Sequence, residues 1–240
     1  MAYDLKKSFL AGIWYIGAVI LAGIVSGFIQ FSRVLFVPYV IIALAAVILY
    51  ALFIYGYVQV AQNTKVALLK VSSWAFIVLA IVGSAVGASM LLIGLWMPQY
   101  AQQPVSPALG AAFTGVFVVY IILAIAHAIF AILFGVGVNK VPVESSTKKT
   151  LRTMSILEGA SALSIVGLVV APYFAFESFV FKLLFLYDTY KKEHTHKELR
   201  NRLWLFIPLA LYLIALVVLI LFIFIMFSVI LGVFSALGNA

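Results

Sequence analysis

Apolar residues fill six long blocks of this chain, at about 9–31, 34–61, 71–97, 111–138, 154–190 and 203–237, with short polar stretches between them. A helix rises 1.5 Å per residue, so about 20 apolar residues cross a hydrocarbon core ~30 Å thick. Every block is long enough for that. The fifth runs 37 residues, far beyond one crossing, and carries Ala171-Pro172 near its middle. Proline has no backbone N–H and disfavours helix in the residue before it. The pattern therefore predicts two short spans there, 154–171 and 173–190, which form either a thin pair of crossings or a re-entrant hairpin. The expected fold is all-α: a polytopic helical membrane protein of about seven transmembrane helices, with six as the alternative. Residues 1–240 form a single integral membrane domain with spans at about 9–31, 34–61, 71–97, 111–138, 154–171, 173–190 and 203–237.

The charged residues favour seven spans over six. Lys and Arg gather in short cytoplasmic loops. With Lys6 and Lys7 holding the start of the first helix inside, the polar stretches 62–70 and 139–153 also face the cytoplasm, with Lys65, Lys70, Lys140, Lys148, Lys149 and Arg152. A single crossing by 154–190 would put the most basic loop, with Lys191, Lys192, Lys197, Arg200 and Arg202, outside. Two crossings, or a re-entrant pair, return it to the cytoplasm. Arg33 is then the lone cation facing out, the uncharged 98–110 loop lies outside, and so does the C-terminus. Glu193–Lys197 and Glu198–Arg202 are i,i+4 pairs in the favourable order, so the sixth helix is expected to continue through much of 187–202.

Leu52-Phe-Ile-Tyr55, Leu133-Phe-Gly-Val136 and Leu184-Phe-Leu-Tyr187 each precede a basic cytoplasmic stretch, as tandem helical hairpins would arrange them. Gly23-Ile-Val-Ser-Gly27 and Gly83-Ser-Ala-Val-Gly87 place two glycines on one helix face, a spacing expected to serve helix packing within the chain.

Composition adds exclusions. Hydrophobic residues make up 66% of the 240 and charged residues 9%, where a soluble domain carries about 25% charged. A cytosolic enzyme, a secreted domain and a disordered chain are ruled out. The net charge of +8 fits anionic head groups at the cytoplasmic loops better than nucleic acid, which is not expected as a partner. The chain has no cysteine, which removes disulfides, thiolate nucleophiles, iron–sulfur clusters and Cys-based zinc sites.

Candidate chemistry rests on few residues, because an ionisable group within a bilayer is costly. His127 lies mid-way along the fourth helix and Lys182 well inside the sixth; the two share one layer if those helices pack together. Glu177 sits five residues from Lys182, towards the outside. Together His127, Glu177 and Lys182 form a candidate intramembrane polar layer, of the kind that makes a proton path or an anion site. Each also has a plain structural reading: a hydrogen-bonded His, a snorkelling Lys, and a Glu at the outer boundary. Glu158, six residues past Arg152, reads as an interfacial charge paired with the basic loop.

No His-Glu-x-x-His or Gly-x-Ser-x-Gly motif occurs, no second deep His is present to hold haem, and no phosphate-cradling glycine loop appears. Neither a cofactor nor a metal is expected, nor a catalytic residue. The expected role is a non-catalytic membrane scaffold or accessory subunit of the cell membrane, partnered by the bilayer and by a membrane protein or a second copy. The alternative is a small transporter or channel-like protein built on the polar layer. An intramembrane enzyme acting on lipid ranks third. Scaffold and transporter separate on whether the polar residues meet in a wet cavity or in packed contacts.

Overall fold

In a computed structural model, residues 5–29, 35–96, 107–143, 146–164 and 170–192 are described. The span expected at 203–237, the stretch 97–106 of the loop expected outside, and the cations Lys197, Arg200 and Arg202 are not among them. Six helices result: α1 (Leu5–Ile29), α2 (Phe36–Thr64), α3 (Ala67–Trp96), α4 (Pro107–Asn139), α5 (Ser146–Ala162) and α6 (Ala171–Lys192). The described residues are all-helical, with no strand among them. Four helices are long and apolar enough to cross a membrane, at Leu5–Ile29, Phe36–Thr64, Ala67–Met90 and Gly110–Asn139. They carry the first four apolar blocks, and together they point to a membrane protein.

These four helices begin or end a few residues beyond their apolar blocks. The polar stretch expected as a loop at 62–70 shrinks to a turn of Lys65 and Val66, with Lys70 already inside α3. Lys65 takes a left-handed conformation, φ 57°, that ends α2. The Lys65 N–H then donates to the Gln62 carbonyl at 3.3 Å and the Val66 N–H to the Ala61 carbonyl at 3.0 Å. This places two α2 carbonyls that the helix itself leaves open. A lysine at a helix end keeps its ammonium in water while its stem covers apolar surface, so the helices extend past their apolar blocks.

The fifth block divides differently from the expected 154–171 and 173–190. Helix α5 starts at Ser146, inside the expected basic loop, and ends at Ala162; α6 starts at Ala171. Pro172 does not break a helix but occupies the first turn of one. There its missing N–H has no intrahelical partner to lose. Neither α5 nor α6 is among the four helices apolar enough to span, and the count of seven is not reached among the described residues.

All six helices belong to one compact unit, Met1–His196. Each packs on the next in sequence, and α6 closes back on α1. Successive helices run antiparallel. The Ser8 hydroxyl of α1 donates to the Leu52 carbonyl in the second half of α2, at 2.8 Å, and Gly137 near the end of α4 packs on Leu69 near the start of α3. In the last hairpin, the Thr147 hydroxyl at the start of α5 donates to Asp188 Oδ2 near the end of α6, at 2.7 Å. The start of α1, the α2–α3 and α4–α5 turns and the end of α6 therefore share one face. It collects Lys6, Lys7, Lys65, Lys70, Lys140, Lys148, Lys149 and Arg152, and α6 delivers Lys191 and Lys192 to it. The Lys148 ammonium donates to the Val141 carbonyl at 2.5 Å, fastening the α4–α5 turn.

The core lies towards this basic face. Phe53, Phe134 and Phe185, the aromatic residues of the three Leu-Phe pairs, are fully buried, and they meet around Tyr57. Its ring packs edge-on against Phe134 at 4.9 Å and against Phe53 at 6.2 Å, and stacks on Phe185 at 5.9 Å. The Tyr57 hydroxyl donates to the Lys182 carbonyl at 2.5 Å, which fixes α6 against α2.

The glycines that close this core are not those of the expected motifs. Among the described residues nothing approaches a Cβ built at Gly23, Gly27, Gly83 or Gly87. The six described helices therefore do not pack on one another through these pairs. A Cβ on Gly137 would lie 2.8 Å from the Leu69 nitrogen of α3, and one on Gly159 would press on the Ala128 carbonyl oxygen of α4. Helix α5 sits deep against α4 because Gly159 has no side chain.

Candidate functional site: a buried charge cluster on three helices

Glu158 is the centre of the site. Helix α5 begins at Ser146, so Glu158 lies 12 residues from its start, roughly 18 Å along the axis. His127 lies 12 residues before the end of α4 at Asn139, and Lys182 lies 10 before the end of α6 at Lys192. In antiparallel helices whose ends share the basic face, these intervals bring the three residues to nearly one depth.

The contacts follow. His127 Nε2 is 2.9 Å from Glu158 Oε1, and Lys182 Nζ donates to Oε2 at 3.4 Å. Each carboxylate oxygen thus has its own partner from a different helix. The Glu158 and Lys182 side chains are only 5% and 4% exposed, while that of His127 is 38% exposed. Lys182 Nζ also lies 4.9 Å from the centre of the Phe76 ring and 5.2 Å from that of Phe134. The negative faces of those rings attract the ammonium without competing for its proton donors. Phe76 packs on the His127 ring as well, at 5.1 Å. Beside the carboxylate, the Ser155 and Ser178 hydroxyls join α5 to α6 at 3.0 Å.

Electrostatically the cluster closes on itself. A lone carboxylate or ammonium at this depth is expensive to desolvate, and here each offsets the other while His127 fills the remaining carboxylate oxygen. No buried side-chain nitrogen or oxygen among the described residues lacks a hydrogen-bond partner. Nor do these residues contain a group of three or more His, Asp or Glu suited to a metal ion. Lysine takes the place that a third ligand would need.

Of the three residues expected to form the polar layer, the structure brings two together. His127 and Lys182 meet on Glu158. Glu177 does not join them: five residues separate it from Lys182, about 140° around the helix, and its polar neighbour is Tyr173. Among the basic-loop residues, Lys191 and Lys192 close α6.

Sequence reasoning missed Glu158 as the hub. Counted from Arg152, with a helix that starts at 154, Glu158 looks superficial; the helix starts at Ser146 and carries it deeper. The signal was the spacing of Ser155, Glu158 and Ser161, which places three polar residues on one face of a helix otherwise rich in small residues. Phe76 and Phe134 carried no such signal in a chain with 20 Phe.

No family model, no curated protein and no solved structure matches this chain.

Proposed function

We propose that this chain is a non-catalytic membrane scaffold or accessory subunit, a helical bundle whose embedded charges hold its own helices in register. The observation that supports this most is the pairing of Glu158 with both Lys182 and His127. A site for a transported ion or substrate needs polar valences left open towards water. Here both carboxylate oxygens are taken, and two aromatic rings flank the ammonium. The apolar outer surfaces of α1 to α4, with Trp14, Ile20, Val37, Ile41, Ile48 and Ile122 exposed, suit contact with acyl chains. In this reading the basic face lies in the cytoplasm, against anionic head groups. No described residue covers the Gly23–Gly27 and Gly83–Gly87 faces, which suits contact with a membrane protein partner or a second copy.

One observation favours the second reading, a small transporter. The His127 imidazole remains 38% exposed while it holds Glu158, so an ionisable group about midway along a span is not sealed. The two readings differ in whether water reaches the cluster.

The chain has no cysteine, which makes thiol labelling direct. Ser178→Cys changes volume little and reports on the cluster from within; Lys182→Cys and His127→Cys report at two of its charged positions. With the protein in vesicles and a membrane-impermeant maleimide supplied from either side, the scaffold reading predicts that all three stay unlabelled. Labelling of Ser178→Cys would show water at the cluster and replace the scaffold with the transporter.

A further inference from the structure

Where the α2–α3 turn meets the end of α4, the basic face contains an open hollow of about 650 Å³, lined by Lys65, Val66, Ala67, Leu68, Val71 and Lys140. Both lysines are exposed, and no acidic residue lines the hollow. A third source of positive potential lies between them. Helix α3 is 30 residues long with no acidic residue in its first turn, so the positive end of its dipole is uncompensated there. Ala67 and Leu68 bring N–H groups that have no carbonyl of their own helix before them. The Val66 N–H, by contrast, is already bonded to the Ala61 carbonyl at 3.0 Å.

The rest of the lining is apolar. Val71, one turn into α3, is 56% exposed, and Leu68 is partly so. A dissolved anion has no use for such a wall. An amphiphile does. The hollow also sits at a turn between two helices apolar enough to span, which is the level of lipid head groups.

We propose that this hollow binds the phosphate of an anionic phospholipid, with Lys65 and Lys140 flanking the phosphate and Leu68 and Val71 against the first acyl carbons. The site rests on the chain spanning a bilayer, and it is independent of whether the chain is a scaffold or a transporter. It narrows a general attraction between a basic face and anionic lipid to one position with two named cations.

The test uses the full chain in neutral detergent micelles, titrated with phosphatidylglycerol or with phosphatidylcholine, and bound lipid counted by native mass spectrometry. Phosphatidylglycerol is expected to bind in preference to phosphatidylcholine. The pair Lys65→Gln with Lys140→Gln should weaken it about 30-fold, the combined effect of two lysines at a membrane surface. The pair Lys70→Gln with Lys149→Gln removes the same charge from the same face and should weaken it no more than about threefold. Unchanged helical circular dichroism shows that each variant is folded. Equal losses from both pairs would mean diffuse attraction and overturn the site. So would equal binding of the two lipids, or displacement of phosphatidylglycerol by excess inorganic phosphate, which would make the hollow a site for a soluble anion.

Discussion

Glu158 shows how a single carboxylate can organise three helices when its partners come from two of them. The strength of each arm depends on exposure. Lys182 is buried with it, while His127, 38% exposed on the side chain, contributes a single hydrogen bond from the rim of the cluster. His127→Phe should therefore lower stability by only about 1 kcal/mol, the worth of one hydrogen bond, and His127→Gln, which keeps a donor, by less. Thermal unfolding in detergent reads both. A loss from His127→Phe as large as that from removing Lys182 would mean that exposure does not set the order. This residue-level arrangement was half legible in the sequence. His127 and Lys182 stood out because ionisable residues are rare in apolar runs, and their depths counted from the basic face agree. Glu158 was hidden because nearby Arg152 made it look superficial. Glu177 lies five residues from Lys182 on the same helix, yet about 140° of helical rotation keeps the two on different faces.

Among the elements, α1 to α4 were readable because uninterrupted apolar runs leave one physical solution in lipid, a helix with its backbone bonds internal. Helix α5 was not. Its first turns hold Thr147, Lys148, Lys149, Thr150 and Arg152, which look like a loop until Lys148 is seen bonded to the Val141 carbonyl. Pro172 misled for a related reason: a proline marks a helix start as readily as a break. What holds α5 in place is close approach to α4 at Gly159. Gly159→Val would drive a branched side chain into the Ala128 carbonyl and Ile132, and should cost about 2–3 kcal/mol, as overpacked cores do. Gly23→Ala, where no described atom stands in the way, should stay within about 0.5 kcal/mol of the parent. Melting temperatures compare the two, and equal effects would contradict the packing described here.

For the molecule as a whole, the antiparallel α5–α6 hairpin decides where the chain emerges. The Thr147–Asp188 bond holds the start of α5 beside the end of α6, so the chain returns to the face it left after α4. With Lys140→Cys and Lys191→Cys made singly and labelled from each side of a sealed membrane, both should react from the same side, expected to be the cytoplasm. Reaction from opposite sides would mean that 154–190 crosses once. The three Leu-Phe pairs, visible in the sequence only as a weak repeat, are the aromatic residues that gather around Tyr57 where α2, α4 and α6 meet. The central claim is that the deep charges of this bundle serve each other. A double-mutant cycle on Glu158→Gln and Lys182→Met tests it most directly, with unfolding free energies measured in one detergent. Each single substitution strands a buried partner and should cost about 3 kcal/mol. The double variant should lose little more than either alone, a coupling of about 2 kcal/mol or above. Additive losses, with no coupling, would show that the two residues act separately and contradict the account.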